Sequence, residues 1–503
     1  MQRLAQIRLT GIVFVAGVAS LTAEVAGQRL LAPFFGASNV VWANVIGLTL
    51  AYLSLGYWLG GRFADRYPTT RALGCVLLVA GLSVAVLPFA AEPLFRAATS
   101  AFADVSAGAF IASFVGAMLM FLVPVTALGA VSPWAIRLAV TDVATAGRVA
   151  GRLYAVSTVG SILGTFLPVL VLVPTIGTRR TMLLAAFLLL LAAASTLPRH
   201  ALVAPLAVIA LAAAPQGQIK SGQGDRVLYE GESQYQFVQV VENRAGERIL
   251  RLNEGWAVHS ILPAERGLTG GYWDSFLALP TLYGRADGRI AILGNAGGTV
   301  SNLYGLAWPA TRIDGVEIDG LVSSVGRRYL GMTNPRLSIH TEDARFWLQG
   351  SHATYDGIVV DAYRQPYIPF HLVSREFFQL VSRRLSRSGV VAINVGTPPD
   401  LTGAVTSIEQ TMRSVFPAVA VARYDDFNSV VLGFRDPAAA ARAGTLLRSA
   451  RGLSSGPSRK LETLLRPVAR TSRAPLTDDH DPIELETDKA LLEYLREGAP
   501  GSR

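Results

Sequence analysis

The sequence predicts a two-part architecture: a multi-pass α-helical membrane bundle over residues 1–214, followed by a doubly wound α/β domain. Three observations carry this expectation. Residues 9–34, 38–61, 71–91, 107–128, 153–175, 181–197 and 201–214 are apolar runs, most of them close to the ~20 residues that cross a bilayer. From Asp225 the apolar spacing changes to strand-like alternation. From Gly288 onward strand and helix signals alternate, the pattern of a sheet covered by helices on both faces.

Composition supports the first part. The 503 residues are 51% hydrophobic and 16% charged, too apolar for an ordinary soluble chain. A cleaved signal peptide does not explain residues 1–31, because the apolar stretch is too long and similar stretches follow it. The net charge of +9 comes with arginines that flank the apolar runs (Arg62, Arg66, Arg71, Arg148, Arg152, Arg179, Arg180). That distribution fits membrane topology, not nucleic-acid binding. Cys75, the one cysteine, lies inside an apolar run, so no disulfide framework or cysteine metal site is expected.

Lys and Arg counts place the N-terminus and the 62–71 and 137–152 loops in the cytoplasm. Seven passes would then carry the soluble domain outside, away from nucleotide-type co-substrates. Either 181–214 does not cross twice or the charge rule fails here. The expectation is a multi-pass cell-membrane protein with a cytoplasmic catalytic domain.

Polar groups inside the bilayer are costly and point to function. Glu24 in the first run is expected to form a membrane polar site, with Gln28 one turn on and Arg29 as the competing ion-pair partner. The second run ends in Gly60-Gly61-Arg62-Phe63-Ala64-Asp65-Arg66, which resembles a loop of major-facilitator transporters. A tight turn with a basic flank explains it as well. Gly160, Gly164 and Pro168 predict a closely packed, kinked fifth helix.

In the soluble half, Arg226–Tyr229, Gln236–Val241 and Arg248–Leu252 read as strands of a small β-region, 222–287. A second region, 288–435, opens with a buried-type strand running into Gly294-Asn295-Ala296-Gly297-Gly298 and a helix. Glycines there let the backbone approach a ligand at a helix N-terminus. The next strand ends at Glu317-Ile318-Asp319, about 20 residues on, where a carboxylate can accept both hydroxyls of a ribose. A third strand runs into Glu342-Asp343-Ala344 and a fourth ends at Asp361. Acids closing three successive units, without a spaced third glycine, favour an S-adenosylmethionine-type nucleotide over NAD. Residues 436–503 read as a helical and linker tail. No His, Asp or Glu set has metal-ligand spacing, so no metal is expected.

Taken together, Glu232-Ser233-Gln234-Tyr235-Gln236, Leu252-Asn253-Glu254-Gly255, Tyr272-Trp273-Asp274, the Gly294–Gly298 turn, Glu317-Ile318-Asp319, Glu342-Asp343-Ala344 and Asp361-Ala362-Tyr363 resemble the spermidine synthase (polyamine aminopropyltransferase) family, in its membrane-fused bacterial branch. Pro475-Leu476-Thr477-Asp478-Asp479-His480 resembles a signature of that branch, and also reads as a capped turn. The resemblance covers about 225–435. It implies a class I methyltransferase-like Rossmann domain and transfer of an aminopropyl group from decarboxylated S-adenosylmethionine to an amine acceptor. Glu317 would hold the ribose and Asp343 the adenine amino group, with Gly294, Gly297, Gly298 and Ala344 around the co-substrate. Asp361 would orient and deprotonate the amine, with Gln236, Tyr272, Asp274, Tyr363 and Arg364 as acceptor-site residues.

Three places depart from the family. Ala296 stands where it has an aspartate, Arg364 where it has a second acid three residues beyond Asp361, and Tyr272-Trp273-Asp274 where it has a Tyr-His-Glu motif. A guanidinium beside a diammonium substrate would repel it by several kcal/mol in a partly buried site, and it suits a carboxylate. Two alternatives stay open: another S-adenosylmethionine-binding transferase or weakly active relative, and a transporter or exporter with a fused nucleotide-binding domain. The expected partners are a small-molecule amine or related acceptor and the lipid bilayer, without nucleic acid; homo-oligomerisation is left open.

Overall fold

The computed structural model describes residues 2–35, 39–101, 108–214, 218–220, 222, 224–253, 257–363, 367–396 and 403–487. The chain forms two compact units. The first comprises Met1–Ser221, Glu230–Phe237 and Asn253–Gly255; the second comprises Gly222–Tyr229, Val238–Leu252 and Trp256–Arg503.

The first unit is helical: α1 (Gln2–Phe35), α2 (Asn39–Arg66), α3 (Thr70–Ala101), α4 (Gly108–Ala139), α5 (Ala146–Leu167), α6 (Val173–Ala194) and α7 (Val203–Ala213). Among the described residues five stretches are long and apolar enough to cross a membrane, the last being the 52 residues Val143–Ala194. Straight, those 52 residues would reach ~78 Å, more than twice a ~30 Å hydrocarbon core. Instead the chain reverses. Arg152 donates to Thr10 (3.2 Å) and Thr22 to the Gly164 carbonyl (3.3 Å), so α5 runs parallel to α1. Arg8 at the start of α1 reaches the Ser195 carbonyl beyond the end of α6 (3.2 Å), so α6 runs back. The reversal falls on a wider π-type turn, Pro168–Leu172, and on Gly177, whose φ of 81° and ψ of 164° leave the helical region.

Among the described residues the unit thus has six long helices and one short one. The 11 residues of α7 span only ~17 Å. The chain still gains the far end of the bundle, where Lys220 donates to the Pro33 carbonyl (2.5 Å) and Arg179 to the Gln218 carbonyl (3.0 Å).

Small residues set the helix packing, as their spacing predicts. A Cβ on Gly56 would overlap the Thr126 carbonyl, and one on Gly160 or Gly164 would overlap the Phe14 or Val18 carbonyl. Glu24 does not pair with Arg29. That guanidinium donates to the carbonyls of Ser233 (2.6 Å) and Gln234 (2.5 Å), leaving Glu24 half-buried on α1. Glu232 accepts from the Thr178 amide (2.7 Å) and hydroxyl (2.6 Å), which caps α6 where it resumes after Gly177.

After the helices comes a four-stranded sheet in the order β1 (Arg226–Glu232), β2 (Phe237–Glu242), β3 (Arg248–Leu252), β4 (Ser260–Leu262). Its Val238, Val240, Leu250 and Leu252 pack on Val322, Val325 and Leu330. Then follow α8 (Leu279–Tyr283), β5 (Arg289–Leu293), α9 (Thr299–Ala307), β6 (Arg312–Val316), α10 (Gly320–Tyr329), β7 (Leu337–His340), α11 (Ala344–Gly350), β8 (Tyr355–Val360), α12 (Arg375–Arg384), β9 (Leu385–Gly396), α13 (Gly403–Arg413), β10 (Ala418–Arg423) and β11 (Asn428–Phe434).

The tail adds α14 (Pro437–Ala441), α15 (Ala443–Arg448), α16 (Ser455–Leu464) and β12 (Arg466–Pro467). It is no loose linker. Leu447 and Leu461 are fully buried among Phe276, Leu279 and Leu432, because each short helix turns one apolar face inward.

The main sheet has eight strands in the order β12-β10-β11-β9-β8-β5-β6-β7. Strands β9, β8, β5, β6 and β7 are parallel, while β11 runs antiparallel between β9 and β10. The strand order reverses direction between β5 and β8. In open α/β sheets that switch point, at the carboxyl ends of the strands, is where ligands bind.

Candidate functional site

The carboxyl edge of the parallel strands gathers most of the expected site residues. Asn394 ends β9, Asp361 follows β8, Gly294 follows β5, Glu317 follows β6 and Asp343 follows β7. At ~4.8 Å per strand, β8 to β7 covers ~14 Å, so the edge suits an elongated ligand.

Gly294 has φ 92°, and a Cβ there would press into the Asp361–Ala362 backbone. Only glycine lets the two loops at the switch point meet. Ala296 is held at φ 45°, a left-handed conformation costing ~1–2 kcal/mol for a non-glycine residue. Its strain is offset by its amide, which donates to Glu317 (3.0 Å). Gly297 and Gly298 are glycine for packing, since side chains there would strike Leu330 and Met332.

The second carboxylate oxygen of Glu317 accepts from the Asp319 amide (3.0 Å). Burial pushes the Glu317 carboxyl up to about 7, while the backbone donors pull it down. Each carboxylate oxygen keeps a lone pair beyond these bonds. Asp319 turns away to cap α10 through the Leu321 amide (3.0 Å).

Asp361 is the chemical centre of the edge. The Tyr272 hydroxyl donates to both its oxygens (3.1 and 3.0 Å), and the Asn394 amide donates to one (3.1 Å). Burial raises its pKa to about 7, against the hydrogen bonds from Asn394, Tyr272 and Trp273. Tyr272 lies against Trp273, ring centroids 4.5 Å apart. Its own pKa is driven well above the usual range by burial and by the Asp361 charge, so it stays a donor. Asn394 is 3% exposed, and with its side-chain nitrogen on Asp361 its side-chain oxygen Oδ1, unlike its main-chain carbonyl, has no hydrogen-bond partner among the described residues. Tyr363 donates to the Asn394 carbonyl (3.0 Å) and accepts from the Gly396 amide (2.5 Å), fixing the β8 and β9 loops together.

At the β7 end, one Asp343 oxygen caps α11 through the Arg345 and Phe346 amides (both 3.0 Å). The other meets His371 Nε2 at 3.1 Å. Facing a carboxylate, that nitrogen must carry the proton. Ala344 is buried at the first position of α11.

Not every expected residue joins this edge. Asp274 is 3% exposed and turned into its own loop, accepting from Thr269 N and Oγ1 (both 2.9 Å) and Gly270 N (2.8 Å). Its carboxylate stabilises that turn. Gln236 belongs to the first unit, in a turn where its amide donates to Ser233 Oγ (3.1 Å). Arg364 lies outside the described residues. Asn394 and His371 were not anticipated. A lone amide in the otherwise apolar run Val390–Val395 was the available signal, since burying it needs a reason. Nothing local marked His371.

An open, largely parallel sheet with a carboxyl-edge row of acids and a glycine turn is a fold of the Rossmann-like methyltransferase type. Residues 287–424 match the spermine/spermidine synthase domain family, so the second unit carries a spermine/spermidine synthase domain. The chain is 37% identical over 191 residues to a probable polyamine aminopropyl transferase of Bifidobacterium longum, covering 38% of this chain and 42% of that protein. It is 36% identical over 132 residues to the polyamine aminopropyltransferase of Vibrio vulnificus, covering 25% of this chain and 43% of that one. The chain spans less than half the length of these two curated relatives. The solved spermidine synthase from Thermotoga maritima aligns at 22% identity and a TM-score of 0.35, covering 42% of this chain and 73% of its own.

Proposed function

We propose that the chain is a membrane-embedded aminopropyltransferase that moves an aminopropyl group from decarboxylated S-adenosylmethionine to an amine acceptor. The observation that carries this is Asp361. It is a carboxyl at the switch point with pKa about 7, gripped by Tyr272 and Asn394. An alkylamine with a pKa of ~10 is protonated and unreactive at neutral pH. Asp361 takes that proton, and a base that titrates near the working pH does so most effectively. The freed nitrogen lone pair forms the new N–C bond as the C–S bond of the sulfonium breaks. The electron pair passes to sulfur, and neutral methylthioadenosine leaves. The unpartnered oxygen of Asn394 is a second acceptor for the amine's remaining protons.

Glu317 takes the ribose hydroxyls and Asp343 the adenine amino group, with Gly294 and Ala296 lining the turn between them. The sulfonium is already an activated leaving group, so the transfer calls for no metal. The long apolar helices support a cell-membrane location. A nucleotide-type co-substrate supports a cytoplasmic catalytic domain, against the arginine-rich N-terminal end of the bundle.

Calorimetry on the full-length protein in detergent tests this reading. It predicts tighter binding of decarboxylated S-adenosylmethionine and methylthioadenosine than of S-adenosylmethionine itself. Preference for the carboxylated form would instead favour another S-adenosylmethionine-dependent transfer.

A further inference from the structure

The segment after β12 returns across the main sheet domain as a strap. Val468 donates to the Val419 carbonyl (2.9 Å), and Gln410 both donates to the Ala469 carbonyl (2.9 Å) and accepts from the Thr471 amide (2.9 Å). Leu476 is anchored at both ends of its peptide, its amide on Thr411 Oγ1 (2.9 Å) and its carbonyl on the Arg375 amide (2.8 Å). Leu476 and Ile483 are 3% and 1% exposed within the core that holds Phe377 and Ile408. These contacts fix Asp478 between them.

Asp478 is more heavily bonded than a surface loop acid needs to be. Arg345 grips it with both terminal nitrogens (2.7 and 2.6 Å), and Ser374, the N-cap of α12, donates to it (2.6 Å). The Asp478 amide in turn donates to Glu376 (3.0 Å). Arg345 also donates to the carbonyl of His371 (3.0 Å). The amide of Arg345, together with that of Phe346, holds one oxygen of Asp343, and the imidazole of His371 holds the other. Asp478 therefore fixes, through one guanidinium, a residue on each side of the Asp343 carboxylate.

We propose that Asp478 is a positioning residue for nucleoside binding: the strap locks Arg345 and His371 so that Asp343 presents a fixed carboxylate to the base of the co-substrate. The inference rests on Asp343 being the base-binding acid. A bidentate arginine–carboxylate pair is suited to the task because it fixes orientation as well as distance. The acceptor-side chemistry at Asp361 does not pass through this network.

The test is Asp478→Asn in the full-length protein, read by calorimetry with methylthioadenosine and by steady-state kinetics. Expected are a nucleoside Kd and a co-substrate KM raised about tenfold, the scale of coupling within one bonded network. The kcat and the acceptor KM stay within about twofold. The charge-swapped pair Arg345→Asp with Asp478→Arg restores part of the affinity. Ser374→Ala, which removes a single bond to Asp478, weakens nucleoside binding by about threefold on the same scale, and serves if Asp478→Asn does not fold. Unchanged Kd in either variant, or kcat falling with no change in Kd, would overturn the strap's role. Absence of nucleoside binding by the wild type would instead remove the nucleotide-site reading itself.

Discussion

Tyr272→Phe offers a quantitative probe of the carboxylate at the centre of the site. It removes one hydroxyl, 3.0 and 3.1 Å from the two oxygens of Asp361, and leaves the ring that stacks on Trp273. A hydrogen bond to a charged group contributes ~1.5–3 kcal/mol. That bond favours the ionised form, and one pKa unit is ~1.36 kcal/mol. Losing it lifts Asp361 from about 7 to roughly 8–9. The active form is the ionised one, so activity is lost as pH falls through the pKa. At pH 7 the ionised fraction drops from about one half to between about one tenth and one hundredth, and kcat/KM falls about 5- to 50-fold. At pH 10 the variant recovers to near wild type. The assay is methylthioadenosine release across pH 5.5–10 with the full-length enzyme in nanodiscs. A uniform loss at every pH, or an acid limb that does not move, would refute the assignment of Asp361 as the proton acceptor.

Four further outcomes follow from the same structure. Glu317→Gln must turn an NH₂ toward the Ala296 or Asp319 amide; calorimetry should give a methylthioadenosine Kd weaker by about 10- to 100-fold, and an unchanged Kd would exclude Glu317 from the nucleoside site. Arg364→Asp restores the acid that the family resemblance implies three residues beyond Asp361; the KM for putrescine should fall about tenfold on exchanging a cation for an acid at that position, with no change counting against a polyamine pocket. Gly164→Leu would drive a side chain into the Val18 carbonyl; size-exclusion chromatography should show loss of the folded monodisperse protein, whereas Gly61→Leu, with open space around it, should be tolerated. Cysteine labelling in intact cells should find the N-terminus accessible from outside and the C-terminal domain protected; the reverse labelling would place the catalytic domain on the outer face.

Much of this architecture was legible because its signals are periodic. Long apolar runs and alternating strand and helix patterns marked out the two parts, and the strands expected before Gly294, Glu317, Glu342 and Asp361 are β5, β6, β7 and β8. The limits were geometric. The sequence separates the runs 153–175 and 181–197, and Gly177 falls between them; what no sequence rule announces is the form of that junction, a π-type turn at Pro168–Leu172 followed by a non-helical glycine. The Glu24–Arg29 pair looked plausible by spacing, but Arg29 found backbone carbonyls that only the folded chain brings near. Asp274 belongs to a strongly suggestive tripeptide, yet its loop's own amides claim it. The tail looked like a linker because its helices are short and arginine-rich, and its burial comes from few apolar side chains such as Leu447, Leu461 and Leu476.

The most direct test of the account is a product analysis. Full-length protein in nanodiscs, given decarboxylated S-adenosylmethionine and putrescine, should release methylthioadenosine together with an equimolar aminopropylated amine, identified by mass spectrometry. Asp361→Asn should lower that rate by about 10²- to 10⁴-fold while nucleoside binding persists. Consumption of S-adenosylmethionine with a methylated product, or equal turnover by Asp361→Asn, would contradict it.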